Sequence, residues 1–351
     1  MRVTTGWHST EGSTELRRVP IERRDLRDDD IAVRVDYCGV CHSDLHAVRG
    51  MIKPVEGGLV PGHEFTGTVT AVGVAVSGLA PGDQVAVGTI VDSCGACPMC
   101  QAGQENYCYQ GATSTYGGTD RVDGTTTKGG YSREYVVREK FAYRLPGGLD
   151  PAAAAPLMCA GISVWEPMRA AGVGPGSQVA VAGLGGLGHL AVKLAAALGA
   201  EVTVLSRTPD KAGDARKLGA ADLLLTHDDQ LPERARGRFD LILDTISAPH
   251  ELSPLLRMTA LDGTLSLLGF PLPTTVQIMD LTYGRKKLSS SGTGGRLGTA
   301  QMLAFAAERG IAADIELLPS ARVGEALSRL DRGDVRYRFV LDLSDLDRPQ
   351  A

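Results

Sequence analysis

Short apolar runs interrupted by Gly and Pro dominate the first part of the chain. Ile31-Ala-Val-Arg-Val-Asp-Tyr, Gly67-Thr-Val-Thr-Ala-Val-Gly, Asp83-Gln-Val-Ala-Val and Ser132-Arg-Glu-Tyr-Val-Val predict β-strands, and together an all-β, barrel-like domain from Ile31 to about Pro146. After Asp150 the texture changes. Helix-forming Pro151-Ala-Ala-Ala-Ala-Pro leads into strand at Gln178 to Ala182, helix at Gly186 to Leu198, strand at Glu201 to Ser206 and helix at Lys211 to Leu218, with further strands at Leu241 to Asp244 and Thr264 to Gly269. That alternation predicts the α/β class with a doubly wound parallel sheet. Thr299 to Arg309 follows as a helix, and Tyr337-Arg-Phe-Val-Leu-Asp-Leu suits a closing strand that periodicity alone does not place. No internal repeat, low-complexity tract or long linker is visible, so two domains packed directly about a cleft are expected.

Length agrees with that division, since 351 residues at roughly 150 per domain make about two domains. With 43% hydrophobic and 22% charged residues the chain is of the soluble globular type. A formal charge of −5 offers no attraction for nucleic acid or an anionic membrane, and the basic run Arg285-Lys286-Lys287 is expected to be a solvated face. The N-terminus lacks the apolar core of a secretory signal, and the longest apolar stretch, Val179 to Ala200, carries glycines, His189 and Lys193, as a strand, turn and buried helix would. A cytoplasmic setting is expected, where thiols stay reduced.

The seven cysteines make that point matter, because six of them suit two zinc ions. Cys94-Gly-Ala-Cys97-Pro-Met-Cys100 with Cys108 offers four thiolates, a closed set in which the metal folds a loop and has no position left for chemistry. A zinc ribbon for nucleic acid is disfavoured by the acidic balance. Cys41 and Cys159, with His63 of Pro-Gly-His63-Glu64 as third ligand, leave one tetrahedral position free, as a catalytic zinc requires. Around Cys41, Cys38 is expected to be a packed strand residue. Asp44 suits a partner that orients His63 through its other ring nitrogen. Ser43 is a candidate first proton carrier, passing a proton by way of a cofactor ribose to His46, for which an ordinary surface position is the competing reading. Glu64 is near enough to orient the metal's ligands or to occupy the open position. His8, His189, His227 and His250 lack partners at ligand spacing and are expected to be structural or surface residues.

The second half carries Gly183-Leu184-Gly185-Gly186-Leu187-Gly188 between a strand and a helix. Gly183 permits the tight turn, Gly185 lets the backbone approach a pyrophosphate, Gly188 allows close packing of helix on strand, and the helix start attracts phosphate. A glycine-rich turn without a ligand is the weaker explanation in that context. The second strand ends in Ser206-Arg207, where an NAD site would place Asp or Glu. With Lys211 these form a plausible cradle for a 2′-phosphate, a plain helix start being the alternative, and NADP(H) is expected.

In this order Cys41-His-Ser-Asp, Gly62-His63-Glu64, the four-cysteine loop, Pro156-Leu-Met-Cys159-Ala-Gly and the glycine turn resemble the zinc-dependent medium-chain alcohol dehydrogenases nearly end to end. Tyr37-Cys-Gly-Val-Cys-His-Ser-Asp, Thr127-Lys-Gly-Gly-Tyr and Asp334-Val-Arg-Tyr-Arg-Phe-Val are similar to the cinnamyl alcohol dehydrogenase branch, which is typically NADP-dependent. The resemblance implies catalytic zinc at Cys41, His63 and Cys159, structural zinc at Cys94, Cys97, Cys100 and Cys108, and the Ser43–His46 relay. It also implies a GroES-like β-barrel catalytic domain from residues 1–152 and 294–351, a Rossmann NADP-binding domain at 153–293, and homodimers. Two departures, Tyr-Gln-Gly-Ala-Thr113-Ser after Cys108 and Ser291-Gly292-Thr293, imply a reshaped, wider pocket. The expected activity is hydride transfer between NADP(H) and an aldehyde or primary alcohol, the alternative being reduction of an iminium or enone in a natural-product pathway.

Overall fold

Asp30–Val40, the longest strand, is buried along most of its length and organises the first unit because three strands use it as partner. Phe65–Val72 runs antiparallel along one edge, while Glu134–Arg138 pairs with Asp30 to Arg34 and Arg338–Asp342 with Tyr37 to Val40 along the other. The predicted terminal strand therefore closes on the strand that leads into Cys41. Gln84–Val87 and Ala142–Arg144 extend this seven-stranded sheet beyond Phe65–Val72, and Ile315–Pro319 lies outside Arg338–Asp342 in parallel. The helix Val323–Asp331 makes that parallel crossover, burying Val323, Ala326, Leu327 and Leu330 at helical spacing against Phe339 and Leu341.

The structure, a computed structural model, describes residues 1–10, 13–51, 57–269 and 273–348. Two units are distinct, Met1–Cys159 with Gly295–Ala351, and Ala160–Gly294. The junction expected at residue 152 falls at Cys159 because the short helix Pro151–Ala154 and the turn Ala155–Met158 pack against Asp30–Val40 and Phe65–Val72.

The second unit is a six-stranded parallel sheet in the order Asp222–Leu225, Glu201–Ser206, Gln178–Ala182, Phe239–Asp244, Thr259–Leu267, Lys287–Ser290. Order reverses between Gln178–Ala182 and Phe239–Asp244, the place where ligands bind in such sheets. Near-continuous apolar runs such as Val179 to Ala182 follow from helices covering both faces. Among the strands that the sequence pattern did not predict are the antiparallel pair Arg2–Ser9 and Leu16–Arg23, Asp222–Leu225, Ile315–Pro319, and the edge strand Lys287–Ser290, all four residues of which are exposed. Of the basic run, Arg285 and Lys287 are exposed as expected, but Lys286 is half-buried and donates to Leu256 O, and Lys287 opens this strand.

Phe239 is fully buried among Ile242, Leu256, Met258 and Leu265. Phe239→Ala is expected to cost about 3–5 kcal/mol. A urea unfolding midpoint equal to that of the parent protein would contradict this packing.

Candidate active site and cofactor turn

Cys41 follows the long strand and caps the helix His42–Val48. Asp44, in the first turn of that helix, is completely buried and accepts the Cys41 N–H at 3.0 Å through Oδ2. Its Oδ1 accepts the Gly62 N–H at 3.0 Å and faces His63 Nδ1 at 3.0 Å. Asp44 thus holds the cap, the turn before Phe65–Val72 and the imidazole together. His63 Nε2 is left facing Cys159 Sγ at 3.1 Å, and Cys159 Sγ lies 4.0 Å from Cys41 Sγ. Ligands on tetrahedral arms of about 2.0–2.3 Å lie about 3.5–3.8 Å apart, so the three donors fit a zinc ion.

Charge around these donors is strongly coupled. Burial alone lowers the His63 pKa, but the Asp44 carboxylate and the Cys41 sulfur together outweigh it and the net shift is well upward. The hydrogen bond between the two buried thiols holds Cys41 well below its ordinary value and pushes Cys159 up. Glu64, expected beside the metal, lies outside the three-donor cluster. One of its oxygens pairs with the buried guanidinium of Arg338, and burial, opposed by that guanidinium, pushes its pKa up to about 7. Arg338 was missed in the sequence reading because it lies 274 residues from Glu64 and arrives on the closing strand. Tyr116 was missed as well; its ring stands edge-on to His63 with centroids 5.7 Å apart.

Ser43 is half-buried with its hydroxyl 3.7 Å from Cys41 Sγ. His46, also half-buried, lies one turn further along the helix and 6.2 Å, ring to ring, from His42. Cys38 is buried and, like Glu64, outside the donor cluster.

The four remaining cysteines converge separately. Sγ atoms of Cys94 and Cys100 are 3.8 Å apart and those of Cys97 and Cys100 are 3.5 Å apart, near the edges of a zinc–thiolate tetrahedron. The Cys97 N–H points to Cys94 Sγ at 3.4 Å and the Cys94 N–H to Cys108 Sγ at 3.5 Å. Backbone N–H groups, that of Cys100 first, bring the Cys97 thiol down to about 6, so it favours the thiolate that a metal needs.

In the second unit Gly183 has φ +89°, open to glycine at little cost. A Cβ at Gly188 would lie 2.1 Å from the Gly183 carbonyl oxygen, whereas one at Gly185 would meet nothing within 4 Å. Gly188 therefore serves packing, and Gly185 presents exposed backbone. Leu184 is buried, and Gly186 and Leu187 are half-buried in the turn. The Ser206 hydroxyl donates to Thr208 O at 2.9 Å and so shapes the chain after the second strand. Arg207 is exposed, and Lys211 donates to Leu184 O at 3.4 Å, which puts its ammonium at the glycine turn.

Residues 27–147 match the alcohol dehydrogenase GroES-like domain and residues 186–308 the zinc-binding dehydrogenase domain. A probable formaldehyde dehydrogenase of Bacillus subtilis is 44% identical over 96% of this chain and 97% of its own. NADP-dependent alcohol dehydrogenase C of Mycobacterium bovis is 42% identical over 99% of this chain and 100% of its own. The structure of a cinnamyl alcohol dehydrogenase from Sorghum bicolor superimposes with a TM-score of 0.94, at 39% identity and 99% coverage of both chains. A Rossmann-type unit joined to a GroES-like unit bearing zinc donors is the make-up of a medium-chain dehydrogenase, and the chain belongs to the zinc-dependent alcohol dehydrogenase family.

Proposed function

We propose that this protein is an NADPH-dependent aldehyde reductase, reversible as a primary-alcohol dehydrogenase. The observation that carries the reading is the cluster of Cys41, His63 and Cys159, a donor set with three members among the described residues, which leaves a tetrahedral position for a substrate oxygen. Zinc held there supplies Lewis-acid polarisation of a carbonyl, and the reduced nicotinamide supplies hydride. Asp44 keeps the His63 proton on Nδ1, so that Nε2 is the donor. Ser43, beside Cys41, hands a proton to the substrate oxygen, and His46 replenishes it from solvent. Cys94, Cys97, Cys100 and Cys108 hold a second zinc that folds their loop.

NADP(H) is supported by Arg207 and Lys211 at the end of the second strand, by the lack of an acidic residue at Ser206-Arg207, and by the name of the mycobacterial relative. The protein forms a homodimer in this reading. Its support is the unpaired edge Lys287–Ser290, flanked by Leu261, Ile278 and Tyr283, each at least two-thirds exposed, a face that a second copy would cover. The cytoplasm, as a reducing compartment, suits both sets of thiolates.

Zinc-loaded protein is expected to oxidise NADPH with aromatic or aliphatic aldehydes. Cys159→Ser should lower kcat by at least about 100-fold while leaving the NADPH dissociation constant within about 2-fold; retained turnover refutes the metal's role. Arg207→Glu should move the kcat/KM ratio of NADPH to NADH toward NADH by about 10- to 100-fold, a charge-assisted hydrogen bond being worth about 1.5–3 kcal/mol, and an unchanged ratio removes Arg207 from the cradle. Sedimentation is expected to give a dimer that Leu288→Glu with Ile278→Glu converts to monomer. A monomeric parent protein disposes of the dimer reading.

A further inference from the structure

The Thr127-Lys-Gly-Gly-Tyr segment has no part in the chemistry described so far, yet it is pressed against the backbone that carries His63. Gly129 N–H donates to Val60 O at 2.7 Å, Gly130 N–H to Gly62 O at 2.8 Å and Tyr131 N–H to Pro61 O at 2.9 Å. The fit leaves no room for side chains at three glycines. A Cβ on Gly129 would lie 2.2 Å from Pro61 O, one on Gly130 2.5 Å from the Phe65 ring, and one on Gly62, itself at φ +96°, 2.5 Å from the Tyr131 ring. Tyr131 is completely buried, and its hydroxyl lies 3.3 Å from Asp44 Oδ2 and 3.5 Å from Gly39 O. Asp44 is the carboxylate that holds His63 Nδ1.

On its far side the segment is gripped by Arg23, which is 7% exposed. Its guanidinium donates to Lys128 O, to Gly129 O at 2.8 Å, to Ser132 Oγ at 2.6 Å and to Glu134 O at 2.9 Å, and lies over the Tyr135 ring at 4.6 Å. All four acceptors are neutral, and burial brings the Arg23 pKa down to about 10, so this cation is kept for its fork of donors rather than for an ion pair.

We infer that Tyr131 and Arg23 are positioning residues for the zinc ligand His63: Arg23 fixes the 128–132 segment, and that segment fixes both the His63 backbone and, through the Tyr131 hydroxyl, the Asp44 carboxylate. The inference rests on the assignment of zinc to Cys41, His63 and Cys159. Partners that orient a ligand in this way typically change metal affinity or activity by about 10- to 100-fold when removed.

The test follows zinc release from the full-length, zinc-loaded protein to a chromogenic chelator. The parent protein is expected to release two zinc ions in two phases, the phase missing in Cys159→Ser being that of the His63 site. Tyr131→Phe, which removes only a hydroxyl, should accelerate that phase about 10-fold and leave the four-thiolate phase unchanged, with kcat reduced and the KM for NADPH unmoved. Arg23→Lys should accelerate the same phase, because an ammonium cannot reproduce the fork. Unchanged release in both variants overturns the inference, as does equal acceleration of both phases, which would make the segment ordinary packing. A parent protein that binds one zinc would instead defeat the metal assignment on which the inference rests.

Discussion

The first unit depends on one carboxylate taken out of water. Asp44 is fully buried, and a buried carboxylate is tolerated only when its lone pairs find donors. Those donors include the Cys41 and Gly62 amides, the His63 ring and the Tyr131 hydroxyl, which come from three separate stretches of chain. Satisfying one charge therefore brings one proposed metal ligand, the turn before a second and a buried tyrosine to one point. The tautomer of His63 follows from the same constraint. With Nδ1–H directed at Asp44, only Nε2 is free to act as a donor to a metal.

Charge balance explains the next layer. Two thiols and two carboxyl groups, Cys41, Cys159, Asp44 and Glu64, lie within one buried region, where the Arg338 guanidinium offsets part of the negative charge and a zinc ion at the proposed site would offset more. A guanidinium left alone there would be as costly as the carboxylate it pairs with. The closing strand Arg338–Asp342 consequently does more than complete a sheet edge. It carries the cation that lets Glu64 be buried next to His63, a proposed metal ligand, and so ties the end of the chain to the Cys41 strand both by backbone pairing and by an ion pair.

How much of this could be read from sequence depended on the range of the interaction. The metal donors were legible because residue type and spacing are themselves the chemistry: Cys94, Cys97 and Cys100 lie within one loop, and Cys41 and His63 each sit in a short distinctive string. The central strands of the Rossmann unit, Glu201–Ser206, Gln178–Ala182 and Phe239–Asp244, were legible because both faces are buried and their apolar runs are near-continuous. Arg338 and Tyr131 were not legible, since their roles arise from contacts across 274 and 87 positions that no local pattern encodes. Arg2–Ser9, Leu16–Arg23 and Lys287–Ser290 escaped for a different reason. They are short of apolar residues because a sheet edge or a partly exposed pair needs few.

The two halves of the function are consequently specified by different physics. In the glycine turn the constraint is what must be absent: a methyl group at Gly188 would collide with the Gly183 carbonyl, and the open space over Gly185 would let a phosphate meet backbone N–H groups there. Any dinucleotide satisfies that requirement. Discrimination has to come from side chains, and with the Ser206 hydroxyl engaged by Thr208 the proposed preference for a phosphate falls to Arg207 and Lys211. The metal site is the reverse case, where every contributing side chain is identified by the donor or acceptor it supplies. Its tolerance of change is correspondingly small, because removing one partner leaves the others buried and unpaired.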